Sequence, residues 1–116
     1  MTAVTIYHNP RCSKSRQTLE LLQNEGIEPT IIKYLDTPPS QAELSNLLQK
    51  LDLSPRQLMR TKEAVYKELN LADESDHDVL LTAMVNNPKL IERPIVVKGD
   101  KAVLGRPPEN VLELIK

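Results

Sequence analysis

The sequence predicts an α/β fold: a mixed four-stranded sheet built in the order β-α-β … β-β-α, with a helical insertion in the middle. Three observations predict it. The first 35 or so residues read strand, helix, strand, a unit whose parallel strands require such a crossover. Residues from Ser40 to Asn86 carry helical periodicity and capping signals only. From Ile95 onward the period changes to that of a tight hairpin followed by a last helix.

In chain order, Ala3 to Tyr7 is rich in Val, Thr, Ile and Tyr and reads as a short buried strand. His8-Asn9-Pro10 ends it with turn chemistry. Ser13 to Glu25 is helical, with Leu19 and Leu22 on one face and Gly26 where a C-terminal cap belongs. Thr30 to Tyr34 reads as the second strand. Ser40-Gln41-Ala42-Glu43 is a capping box, and Leu44, Leu47, Leu48 and Leu51 behind it repeat at i, i+3, i+4, i+7. Ser54-Pro55 opens another short helix with proline at its first position. Val65 to Leu69 forms a further turn or two. Ser75 to Asn86 places Val79, Leu80, Ala83 and Met84 on a helical face. Ile95-Val96-Val97 and Ala102-Val103-Leu104 flank Gly99-Asp100, a two-residue hairpin turn. Pro107-Pro108 starts the last helix, with Val111, Leu112 and Ile115 facing inward. Without its helical middle this is the element order of a thioredoxin-like core. No flexible linker flanks residues 38–90, so they read as an insertion within a single domain, 1–116.

Composition narrows the function. Fifteen Lys and Arg against 16 Asp and Glu leave a net charge of -1, so no global basic field holds nucleic acid. Aromatic residues are 3% of the chain, all tyrosine, too few for a base-stacking platform. One cysteine and two histidines exclude an intramolecular disulfide and argue against a structural zinc site. The start of the chain has no basic or long apolar stretch, so no signal peptide or membrane span is expected, and a reducing cytoplasmic compartment is the default. Nothing in the sequence demands more than a monomer.

Asn9-Pro10-Arg11-Cys12-Ser13-Lys14-Ser15-Arg16 carries the chemistry. A lone cysteine is often a small core residue. Here three cations and two serines lie within four residues of Cys12, with no aliphatic side chain among them. Cys12 also stands where a strand stops and a helix starts. The free N–H groups and the dipole of a first helical turn favour thiolate, the nucleophilic form, and would cradle an incoming oxyanion. Cys12-x-x-Ser15 cannot form the internal dithiol of a Cys-x-x-Cys motif, so any disulfide involves another molecule. Cys12 and Arg16 are also too closely spaced for a tyrosine-phosphatase phosphate loop. His8 is placed either to stabilise the thiolate as imidazolium or merely to cap the strand. His77, at an acidic helix start, reads as a solvated surface residue. Arg60, Arg93 and Arg106 are further cations. Arg93 and Arg106 flank chain breaks at strand ends, and Arg93-Pro94 is a candidate cis peptide, because a thioredoxin-like layout sets a cis-proline beside the cysteine loop.

Tyr7-His8-Asn9-Pro10-Arg11-Cys12-Ser13-Lys14-Ser15-Arg16, Leu58-Met59-Arg60, Glu92-Arg93-Pro94-Ile95-Val96-Val97 and Gly105-Arg106-Pro107 together resemble the glutaredoxin-coupled arsenate reductase family. This is the ArsC/Spx-like branch of the thioredoxin superfamily, and the likeness is greatest to its shorter YfgD-type members. It covers essentially the whole chain. The resemblance implies that Cys12 is the nucleophile attacking arsenate, that His8 and Ser15 favour its thiolate, and that Arg60, Arg93 and Arg106 hold the oxyanion. It implies glutathione as co-substrate, glutaredoxin as partner, and no bound cofactor or metal. The chain departs from the best-known members at Ser13 and Lys14, where those have Gly and Thr. Two alternative functions follow from the same likeness. One is a non-catalytic Spx-like regulator that binds RNA polymerase, disfavoured by Ser15 in place of a second cysteine and by the His8-Asn9-Pro10 run. The other is a thiol oxidoreductase with a different substrate.

Overall fold

The structure, a computed structural model, describes residues 3–115. They form two compact units. Residues up to Thr37 and from Arg93 onward make the first, and Pro38–Glu92 the second.

The first unit is thioredoxin-like α/β. Strands β1 (Val4–Tyr7), β2 (Thr30–Ile32), β3 (Ile95–Lys98) and β4 (Lys101–Leu104) make one sheet in the order β2-β1-β3-β4. β1 and β2 are parallel, with Ile6 opposite Ile31. β1–β3 and β3–β4 are antiparallel, with Ile6 opposite Val96 and Val96 opposite Val103. The crossover between β1 and β2 is helix α1 (Ser13–Asn24), as parallel pairing demands. Gly26, at φ 79°, takes the left-handed turn after α1, and its N–H reaches Gln23 O at 3.0 Å. Val4, Ile6, Leu22, Val96 and Val111 form the buried centre, and Leu19, Ile27, Val103 and Ile115 pack around it.

Two boundaries differ from expectation, each for a local reason. β2 stops at Ile32 because Asp36 N–H and Thr37 N–H both turn back to Lys33 O, each at 2.9 Å. Tyr34 is therefore buried outside the strand. The last helix, α6 (Asn110–Ile115), begins after the prolines rather than at them. Pro107 and Pro108 accept tight-turn bonds from Asn110 and Val111 and lead into the helix. On α6 only Val111 is fully buried; Leu112 and Ile115 are partly exposed.

The second unit is helical: α2 (Gln41–Leu51), α3 (Pro55–Leu58), α4 (Ala64–Glu68) and α5 (His77–Asn86), with 3-10 turns at Leu71–Asp73 and Pro88–Leu90. Capping boxes start both α2 and α3: Ser40 Oγ accepts from Glu43 N–H, and Ser54 Oγ from Gln57 N–H. Both helices pack on α5. Leu44, Leu47 and Leu48 are buried, as the leucine spacing predicts. On α5 the buried set is Leu80, Leu81, Ala83 and Met84. Val79, expected on this face, is exposed at 44% and Leu81 takes its place. Asp78, Thr82 and Asn86 form an exposed stripe at i, i+4 and i+8, and Val79 lies at its edge.

Among the described residues no helix is long and apolar enough to cross a membrane. Leu22→Ala should lower stability by about 2–5 kcal/mol, because it opens a void at the centre of the sheet unit. Ser40→Ala should cost only about 1 kcal/mol, the loss of one helix cap. Urea unfolding followed by circular dichroism checks both, and equal effects would refute this assignment of the core.

Candidate active site

Tyr7 is the last residue of β1, and the chain turns at once. His8 N–H still reaches across to Ile32 O at 2.8 Å. Asn9 then organises the turn, because its Oδ1 accepts Arg11 N–H and its main-chain O accepts Cys12 N–H, each at 3.0 Å. Arg16 Nη1 donates to Pro10 O at 2.9 Å and ties the loop to the helix that follows. Cys12 is the N-cap of α1, with extended backbone (φ -95°, ψ 123°), and its carbonyl accepts the first helical bond from Arg16 N–H at 3.0 Å.

Ser15 is wholly buried in the first turn. Its Oγ accepts Asn9 N–H at 3.0 Å and lies 2.6 Å from His8 Nδ1. The hydroxyl keeps both its own proton and a second lone pair, so either neutral tautomer of His8 satisfies this contact. Electrostatics agree with a neutral ring. Burial, then the charges of Lys33 and Arg16, hold His8 below its ordinary pKa of 6.5. Through this contact His8 and Ser15 brace the loop that carries Cys12.

Cys12 is half-buried. Burial pushes its thiol up. The Ser15 N–H, the hydrogen bond and charge of the Arg93 guanidinium, and the Lys14 N–H outweigh that and leave the thiol below its ordinary value. The sulfur closes no full capping bond, so the N–H groups act on it mainly as aligned dipoles. Arg106 Nη1 lies 3.9 Å from Cys12 Sγ and donates to Arg93 O at 3.2 Å. The Arg93–Pro94 bond is cis, and so is Arg106–Pro107. One sulfur is thus faced by two guanidinium groups and the open start of a helix. That arrangement can hold an oxyanion against a thiolate.

Arg60 belongs to the second unit. Met59 and Ile91 form an isolated antiparallel bridge, flanked by Arg60 N–H to Leu90 O at 2.7 Å and Glu92 N–H to Leu58 O at 2.8 Å. The guanidinium pairs with Glu92 through Nη1 at 3.0 Å and with Glu63 through Nε at 3.4 Å. His77 is exposed on the rim of a cleft of about 530 Å3 in this unit, which none of the predicted site residues lines. Among the described residues no group of three or more His, Cys, Asp or Glu side chains is placed to hold a metal ion.

Sequence reasoning missed Thr18. It is wholly buried on the same stripe of α1 as Ser15 and Leu22, and its hydroxyl reaches Gly105 O at 3.3 Å. The available signal was a polar residue where the helical period calls for an apolar one.

Two outcomes test this geometry. Ser15→Ala should destabilise the protein by about 1–3 kcal/mol, since the half-buried Asn9 N–H and the buried His8 Nδ1 both lose a partner. Because the folded pKa of His8 lies below the unfolded value, unfolded chains bind the extra proton first. Its contribution to stability is therefore complete above pH 6.5 and falls away as pH drops through the folded pKa. Urea midpoints measured on both sides of pH 6.5 should show this slope, and His8→Gln should flatten it.

Comparison with known proteins places the chain in a family. Residues 7–114 match the model of the ArsC family. YfgD of Escherichia coli (strain K12) is 60% identical over 114 residues, spanning 97% of this chain and 96% of its own. The arsenate reductase of Haemophilus influenzae is 51% identical over 115 residues, 97% of this chain and 99% of its own. The solved structure of an arsenate reductase from Vibrio cholerae superposes with a TM-score of 0.94 at 59% identity, covering 97% of each chain. The chain belongs to the ArsC family.

Proposed function

We propose that the protein is an arsenate reductase that works with glutathione and glutaredoxin in a reducing, cytoplasmic setting. The observation that carries this reading is the convergence of Arg93 and Arg106 on the Cys12 sulfur at the start of α1. Relatives that share about half of its residues along nearly its whole length are named arsenate reductases, which supports arsenate as the oxyanion.

In this reading the Cys12 thiolate attacks arsenic, and one arsenate oxygen leaves as water. Arg93 and Arg106 meet the negative charge carried by the remaining oxygens, with the first-turn N–H groups of α1 beside them. The family likeness adds Arg60 to the anion ligands. Two thiols, Cys12 and one glutathione, supply the two electrons that take As(V) to As(III), and they end as a mixed disulfide while arsenite leaves. A second thiol must come from outside because the chain has one cysteine. Glutaredoxin then takes the glutathione from Cys12 by thiol–disulfide exchange. Ser15 and His8 hold the loop that presents the sulfur. No bound cofactor or metal takes part.

An NADPH-coupled assay with arsenate, glutathione and glutaredoxin tests the reading. Cys12→Ser should reduce turnover to background. Arg93→Ala and Arg106→Ala should each lower kcat/KM by about 100- to 1,000-fold, the usual effect of removing one donor to a developing oxyanion. Arg60→Ala should raise the KM for arsenate. Turnover by the wild type no greater than by Cys12→Ser would refute the proposal.

A further inference from the structure

Helix α1 buries three side chains in one stripe, Ser15, Thr18 and Leu22. Ser15 serves the cysteine loop and Leu22 the apolar core, which leaves Thr18 to explain. Its hydroxyl has one proton and two acceptors in range, Lys14 O at 2.8 Å and Gly105 O at 3.3 Å. The shorter contact is the back-bond that any helical threonine makes to its own preceding turn. The longer one joins α1 to the exit of β4, 87 residues away in sequence.

Gly105 makes that approach possible. A Cβ there would lie 2.5 Å from Thr18 Oγ1, 2.9 Å from Thr18 Cγ2 and 2.8 Å from Pro94 Cγ. Gly105 N–H also donates to Pro94 O at 2.9 Å. Three segments therefore meet at a point where no side chain fits: the helix that starts at Cys12, the segment Arg93–Pro94, and the segment Gly105–Arg106. The two loop segments carry the two arginines that face the sulfur, and Arg106 Nη1 is itself bonded to Arg93 O. A displacement at this joint moves both guanidinium groups relative to α1.

We infer that Thr18 and Gly105 are positioning residues, which set how closely Arg93 and Arg106 approach the Cys12 sulfur. Neither touches the sulfur; both act through the backbone that holds the arginines. The inference rests on the reading of Cys12 as a nucleophile, but it is tested by the acidity of the thiol and needs no arsenate turnover. At an effective dielectric of about 20, each extra ångström between a guanidinium and a sulfur roughly 4 Å away raises the thiol midpoint by about half a pH unit.

The experiment is a pH titration of the Cys12 thiolate in the intact protein, by ultraviolet absorbance and by the rate of alkylation with iodoacetamide. Thr18→Val replaces the hydroxyl with a methyl group pressed against Gly105 O, and Gly105→Ala forces the same joint apart. Each should raise the midpoint by about half to one pH unit, and so slow alkylation below the midpoint by about three- to ten-fold. Thr18→Ser keeps the hydroxyl and should titrate like the wild type. Val111→Ala, in the centre of the same unit, should lower stability without moving the midpoint. The inference fails if Thr18→Val titrates like the wild type, or if Val111→Ala shifts the thiol as far. Should Gly105→Ala not fold, the threonine series still decides. Loss of arsenate turnover with an unchanged midpoint would count against this inference while leaving the proposed function standing.

Discussion

The Arg93 guanidinium and the Ser15 N–H act on one sulfur against the pull of burial, and the arrangement of the sheet unit follows from that balance. A half-buried thiol favours its neutral form unless positive charge or aligned dipoles stand close. Aligned dipoles need a helix start, so Cys12 must be the residue at which α1 begins. Charge must come from elsewhere in the chain, so the loops before β3 and after β4 must return to that point. The antiparallel placement of β3 beside β1, with Tyr7 opposite Ile95, brings the start of β3 next to the end of β1. The thioredoxin-like layout is in this sense the geometry that lets residues 12, 93 and 106 meet.

The polar half of α1 extends the same logic inward. A helix packed on a sheet ordinarily buries an apolar stripe. Here the stripe changes character along its length, from Ser15 through Thr18 to Leu22. Near the sulfur the buried groups are hydroxyls, which define positions by directional bonds. Further along, leucine supplies apolar burial. Precision is concentrated in the first two turns and cohesion in the third.

Much of this was legible in the sequence because it is local. The strand-to-helix junction at Cys12, the two capping boxes and the Gly99-Asp100 hairpin are each encoded in a few adjacent residues. Val79 and Leu81 are equally apolar, and burial follows the side of α5 away from Asp78, Thr82 and Asn86. Features that depend on distant packing are not encoded in this local way. Lys33 ends β2 through its carbonyl, a group every residue has. The partners of Arg60 also differ in how readable they are: Glu63 is one turn away, whereas Glu92 is joined to it only by the bridge between Met59 and Ile91. Thr18 was hidden for the same reason, since its significance lies in a glycine 87 residues further on.

Cys12 is an unusual residue with which to begin a helix. Ser, Thr, Asp and Asn lead at that position because their side-chain oxygens accept an orphan N–H, and the thiol closes no such bond here. The first turn moreover carries Lys14 and Arg16, cations at the end where the dipole disfavours them, and no acidic residue. By these criteria α1 is a helix left unfinished at its origin. Any anion that settles there is, to the helix, the missing cap residue. Folding and ligand binding then draw on the same few N–H groups, so occupancy must raise resistance to unfolding by RT ln(1 + [L]/Kd). An anion bound at this end would complete the helix as well as occupy the site.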